Sequence, residues 1–151
     1  LIIGDGPQQP ILEEFRDNIG AARNIHFLGH RNDVADLLPH FNVFWNGSLY
    51  EGQSNSIMEA MQCGVPVVDT DIAGNRDLIE HEVSGILYPA GAVDLLVRNT
   101  LRVLNEPDVR GGMIKAAQSR IAQDFTVERM VQAHEAFYKA CFELHRPKPA
   151  A

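Results

Sequence analysis

What this 151-residue chain lacks narrows its role first. No apolar run approaches the roughly 20 residues a membrane-spanning helix needs. The longest runs, such as GVPVV and ILY, are soon cut by polar residues. Basic residues are scarce: 13 Lys and Arg stand against 20 Asp and Glu, a formal net charge of -7. Without clustered cations there is little to hold nucleic-acid phosphates, so no nucleic-acid partner is expected. The two cysteines, Cys63 and Cys141, lie far apart and read as small buried hydrophobes in a reducing compartment. None of the six histidines has a ligand spacing such as HxxxH with a supporting carboxylate, so no metal site is expected. The chain does not open on Met, and no basic n-region leads into an apolar h-region. That lack of a leader says nothing about targeting.

What is present is ordinary globular composition, 45% hydrophobic and 22% charged, at a length that fits one domain with a substantial core. Apolar runs at LII, IHFL, VFW, PVVD and ILY each end in turn residues. Stretches of helical period lie between and after them, near 8–20, 32–39, 55–63, 74–80 and 91–105. This alternation predicts an α/β fold, a Rossmann-like parallel sheet with flanking helices. After ILYPAG the strands stop. Val93, Leu96, Thr100 and Leu104 mark one helical stripe, and Met113, Ala117, Arg120 and Ile121 another, with Pro107 between them. Thr126 suits the N-cap of a last helix in which Met130, Ala133, Phe137 and Phe142 are packing candidates.

The segment from Tyr50 to Asn75 is the richest in chemistry. Glu51 and Glu59 stand eight positions apart across a loop-to-helix junction made by Gly52, Gln53, Ser54 and Asn55. Ser54 or Asn55 can cap the helix. A helix start reached through such a loop offers unpaired N–H groups and the positive end of the dipole, which suit a diphosphate. Carboxylates on either side suit sugar hydroxyls. Together these fit a nucleoside-diphosphate sugar. The bland alternative is that the dipole alone favours an acidic residue near the helix start, with Glu59 simply solvated; on spacing alone the two stand level. Gly4, Asp5 and Gly6 form a tight strand-to-helix turn expected to border the nucleotide, although a full GxGxxG is lacking.

The order of LIIGDGP, NIHFLGHRNDVADLL, VFWNGSLYEGQSNSIMEAMQCGVPVVDTDIAGNRDLI, SGILYPAG and DFTVERM resembles the C-terminal, donor-binding domain of GT-B retaining glycosyltransferases of the family 4 type. Five ordered matches cover almost the whole chain. The resemblance implies that Glu51 faces the donor sugar, the best catalytic candidate though mainly a sugar binder, and that Glu59 binds the ribose. It implies backbone contacts from Gly52, Gln53, Ser54 and Asn55, and base contacts through the main chain of His30, Arg31 and Asn32. The loop's Gln-Ser-Asn, where the family often has Phe-Gly or Phe-Pro-Asn, leaves the sugar open.

The resemblance also implies residues that this chain does not hold. The family's diphosphate-binding Arg and Lys belong to a GRL...KG-type segment before the first strand here, and the acceptor domain precedes that. The expectation is therefore a nucleotide-sugar-binding domain over 1–145, truncated at its N-terminus and inactive alone, with a disordered tail over 146–151. The strand implied before Leu1 would be central to the sheet, so either it lies outside this sequence or the LII and VFW strands pair directly. The implied substrate is a UDP-, GDP- or ADP-sugar with no cofactor. Its partner would be the missing acceptor domain, and its acceptor a glycan, lipid or polysaccharide precursor. The expected location is cytoplasmic, with a peripheral membrane contact of the full-length enzyme left open. Two rivals remain: a UDP-sugar epimerase on the same fold, whose acid/base groups the E-x7-E pattern does not resemble, and a non-catalytic interaction module of the same descent.

Overall fold

The computed structural model describes residues Leu1–Leu144; the tail expected over 146–151 lies outside the described residues. The chain divides into two compact units, Leu1–Leu37 and the remainder from Leu38 onward. In the first unit Ile2 bridges Phe27 in parallel and Gly4 bridges Gly29. Helix α1, Gln9–Asn18, has Pro at its start, where a missing N–H costs nothing. The Arg16 guanidinium sits over the Phe27 ring at 5.6 Å. Helix α2 is one turn, Val34–Leu37.

The second unit opens with a 3-10 turn, Leu38–His40, in place of the rest of the helix predicted over 32–39. Pro39 cannot donate to an α-helical ladder, which explains the tighter turn. Its sheet is parallel. Strand β1, Val68–Thr70, pairs with β2, Ile86–Tyr88, with Val68 opposite Ile86 and Thr70 opposite Tyr88. On the other side of β1, Phe44 bridges Val67, and the Val68 N–H donates to the Phe44 carbonyl at 3.1 Å. The LII, IHFL and VFW runs therefore form single bridges where the apolar pattern predicts strands.

Helix α3, Asn55–Gln62, presents one apolar side at i, i+3, i+4, and Ile57, Ala60 and Met61 are fully buried. Burying a side chain the size of Ile57 or Met61 stabilises by about 2 kcal/mol. Gly64, at φ 73°, ends the helix. Its N–H donates to the Met61 carbonyl at 3.2 Å and the Val65 N–H to that of Ala60 at 2.9 Å, a Schellman closure that turns the chain into β1. Helix α4, Ala73–Leu78, follows β1 directly.

The C-terminal part is helical, as the stripes predict: α5 is Val93–Asn105, α6 is Pro107–Asp124 and α7 is Val127–Leu144. A core of Val68, Ile86, Tyr88, Val103 and Met113 joins the sheet to α5 and α6. On α6, Met113, Ala117 and Ile121 are buried as the stripe requires. On α5 the buried pair is Thr100 and Val103, while Val93 is exposed. Leu95 and Leu96, packed against that core, take the inward side of the first turns instead. The Thr126 hydroxyl accepts from the Arg129 N–H at 3.2 Å, capping α7. Helix α7 buries nothing among the described residues, so Met130, Phe137 and Phe142, expected to pack, are exposed. Cys63, read as buried, is half-buried, because it stands at the C-cap of α3 rather than on its inner face.

Candidate functional site

The carboxyl end of β1 carries an unusual residue for an interior, Asp69, which is 0% exposed. A carboxylate is stripped of water only where donors replace it. Here Oδ1 accepts from the N–H groups of Gly47 at 3.0 Å and Thr70 at 2.7 Å and from the Asn75 amide at 3.3 Å, while Oδ2 accepts from the Asn46 N–H at 3.0 Å. Burial pushes its pKa up, and the backbone N–H groups oppose that rise. Asn75 also donates to the Thr70 carbonyl at 3.0 Å, and the Thr70 hydroxyl to the Ser48 carbonyl at 2.6 Å. The Asn75 Oδ1 is buried without a partner among the described residues.

Asn46 then relays this order outward. Its Nδ2 donates to Glu51 Oε1 at 3.0 Å and to the Ser54 hydroxyl at 3.3 Å. The Ser48 hydroxyl donates to the same Glu51 oxygen at 2.8 Å. Both bonds end on Oε1, which leaves Oε2 as the oxygen with capacity for a ligand hydroxyl. Glu51 lines an open cleft of about 610 Å³ together with Leu49, Tyr50, Gly52, Asp71, Ile72, Ala73 and Arg76. Tyr50 is 92% exposed beside it. At the rim Arg76 grips Asp71 with two bonds, Nε to Oδ1 at 2.6 Å and Nη2 to Oδ2 at 3.1 Å, which hold the Asp71 pKa down.

Gly74 sets how near α4 comes to this wall. A Cβ there would fall inside the van der Waals shell of the Gly52 carbonyl oxygen and lie 2.5 Å from that of Glu51. No other residue permits that approach.

Ser54 stands at the N-cap of α3, but its hydroxyl makes no capping bond, contrary to the capping role read from the sequence. Asn46 and Ser56 engage it instead, the latter at 3.0 Å, so side-chain partners outcompete the backbone N–H groups. The first-turn N–H groups of α3 keep their donor capacity. Gly52, Gln53 and Asn55 are exposed around that helix start, and Ser54 is buried beneath it. Glu59 lies one turn into α3, exposed and outside the cleft lining.

Of the site residues expected in the first unit, Gly4, Asp5 and Gly6 are exposed in the turn before α1, where the Gly6 carbonyl accepts from the Gln9 N–H at 3.0 Å. The His30 ring meets Asn32 Oδ1 at 3.2 Å, and Arg31 is paired with Asp33, with Nε to Oδ1 at 2.7 Å. That pairing lowers the Asp33 pKa.

Residues 1–106 match the family described as glycosyl transferases group 1. The chain belongs to that family. It is 27% identical over 138 residues to the N-acetyl-alpha-D-glucosaminyl L-malate synthase of Bacillus anthracis, covering 91% of this chain and 36% of that enzyme. With the UDP-Gal:alpha-D-GlcNAc-diphosphoundecaprenol alpha-1,3-galactosyltransferase of Escherichia coli it shares 28% identity over 139 residues, 91% of this chain and 36% of the relative. Among solved structures, HepE of Anabaena in complex with UDP-glucose superimposes with a TM-score of 0.84 at 26% identity, over 91% of this chain and 40% of HepE. The α/β architecture, a small parallel sheet with flanking helices and a helical C-terminal end, is that of these GT-B glycosyltransferases. The chain spans 36% of the length of each of these two curated relatives.

As a group 1 glycosyl transferase chain it carries no helix, among the described residues, long and apolar enough to cross a membrane. Nor do three His, Cys, Asp or Glu side chains gather among the described residues to hold a metal ion. Sequence reasoning missed Asp69, Asn46 and Asn75. The available signal was an acidic residue closing the run GVPVVD, where the pattern suggests only the end of a strand.

Proposed function

We propose that this chain is the donor-binding part of a retaining, metal-independent glycosyltransferase that takes a hexose from a UDP-sugar. The reading rests most on Glu51. Its carboxylate is oriented by Asn46 and Ser48 at the wall of an open cleft beyond the carboxyl ends of the strands. A sugar hydroxyl donating to Oε2 would bind there, with the apolar surface of Leu49 and Tyr50 available to the ring. The uncapped start of α3 would receive the diphosphate on its backbone N–H groups, and its dipole would offset charge as the diphosphate departs. Glu59, one turn further, would take the ribose hydroxyls.

Uridine is favoured over guanosine or adenosine because HepE is described with UDP-glucose and the Escherichia coli relative is named for UDP-Gal. Glu51 serves as a sugar binder. The remaining diphosphate contacts and the binding of the acceptor would come from the rest of the natural protein.

Calorimetric titration of the natural full-length protein with UDP, GDP, ADP and their hexose derivatives tests this. Glu51→Gln is expected to reduce the affinity gained from the sugar about tenfold while sparing UDP, and Glu59→Gln to weaken UDP itself about tenfold. Unchanged binding in both variants would refute the site.

A further inference from the structure

We propose that Asp69 is a positioning residue for donor-sugar recognition: its buried carboxylate sets the Asn46 backbone, and through the Asn46 amide the orientation of Glu51. This inference rests on the donor-site reading above. The buried run that leads to it, Val65 to Val68, is apolar or Pro, and an apolar residue at position 69 would extend it without stripping a charge of water. What the carboxylate does instead is gather donors from two segments that border the cleft. Asn46 and Gly47 precede the loop carrying Glu51, and Asn75 belongs to α4, whose Gly74 packs on the Glu51–Gly52 backbone.

The bonds are divided unequally, and that predicts a selective lesion. Oδ1 faces Gly47, Thr70 and Asn75, whereas Oδ2 takes the Asn46 N–H. An asparagine at position 69 has the same size but one acceptor oxygen. It satisfies more donors by keeping that oxygen in the Oδ1 place, which turns its NH2 toward the Asn46 N–H, donor against donor. Asp69→Asn therefore releases Asn46 while the rest of the cluster persists. Asn46 in turn holds Glu51 Oε1 at 3.0 Å, and a carboxylate freed from that bond samples orientations that no longer meet the sugar.

The test is calorimetry on the natural full-length protein with UDP, UDP-glucose, UDP-galactose and UDP-N-acetylglucosamine, in wild type, Asp69→Asn, Asn46→Ala and the double variant. The readout is the ratio of UDP affinity to UDP-sugar affinity, which general loss of stability does not shift. Each single variant is expected to lower the preferred sugar's gain about tenfold with UDP binding within about twofold of wild type, and the double variant to lose no more than either. A wild-type gain that survives in Asp69→Asn, or additive losses in the double variant, overturns the inference. Should Asp69→Asn not fold, Asn46→Ala alone decides: retention of the sugar gain there breaks the relay. If wild type binds neither UDP nor any of the three sugars more tightly than UDP, the donor-site reading itself fails, and this inference with it.

Discussion

Asp69 and Asp71 stand two residues apart at the end of β1, one in the interior as a buried floor behind the residues that line the cleft and the other on the cleft's rim, and their surroundings are opposite. Asp69 is fully buried, meets only neutral donors and has its pKa raised by lost hydration. Asp71 is partly exposed, meets the Arg76 guanidinium and has its pKa lowered by that bond. The floor therefore defines geometry at an energetic cost that dipoles offset, whereas the rim carries charge that water screens. Position in the sheet, not residue type, decides which.

The contrast breaks most severely at Gly74, where floor and wall touch. Gly74→Ala forces a Cβ into backbone oxygen atoms that cannot rotate away, and is expected to cost about 3 kcal/mol or more in denaturant unfolding. A variant of wild-type stability would mean that α4 does not approach the Glu51–Gly52 backbone.

Removing the floor's carboxylate comes next. Asp69→Ala leaves the N–H groups of Asn46 and Gly47 without their acceptor and is expected to lower stability by about 2 kcal/mol in the same measurement. Stability equal to wild type would place water, not Asp69, as their partner.

Acidity sharpens the comparison, because the two carboxylates have opposite linkage. Asp71, with its folded pKa below the unfolded value of about 3.9, stabilises above that value and loses its contribution as pH falls through the folded pKa. Asp69, with its folded pKa raised, favours the folded state most at low pH and loses that contribution as pH climbs from the unfolded value through the folded one. Melting temperatures of wild type and Asp71→Asn should differ slightly near pH 6 and converge as pH falls through the folded pKa of Asp71. For Asp69→Asn the deficit against wild type should shrink with rising pH, the variant melting higher relative to wild type at pH 6 than at pH 3, because only wild type loses the low-pH contribution of a carboxyl whose pKa burial has raised; a deficit that grows with pH would show that the hydrogen bonds outweigh the lost hydration.

The smallest effect belongs to the rim. Arg76→Ala removes the same exposed ion pair and should shift the melting temperature no more than Asp71→Asn does near pH 6. A marked loss would show that Arg76 organises the cleft as Asp69 does.

Much of the layout was legible in the residues. The helix read over 55–63 spans Asn55–Gln62, and that read over 91–105 spans Val93–Asn105, since apolar spacing, Gly64 and Pro107 act within a few positions. Thr126 caps α7 as its type predicts. Less was legible where a side chain had a choice of partners. Ser54 has the right identity and place for an N-cap, but Asn46, eight positions upstream, and Ser56 engage its hydroxyl. The apolar residues of α7 repeat like a packing face, and none is buried among the described residues, because periodicity specifies a face without specifying what covers it.

By itself the sequence determined the alternation of strands and helices, the helix ends and the loop-to-helix junction at Glu51, for these follow from interactions between residues a few positions apart. Only the tertiary structure decided that Asp69 is interior and that Glu51 is braced. The Asn46 N–H that meets Asp69 lies 23 positions away in the chain, and the backbone that fits against Gly74 lies on another segment. Whether a carboxylate is buried depends on donors that no local pattern contains.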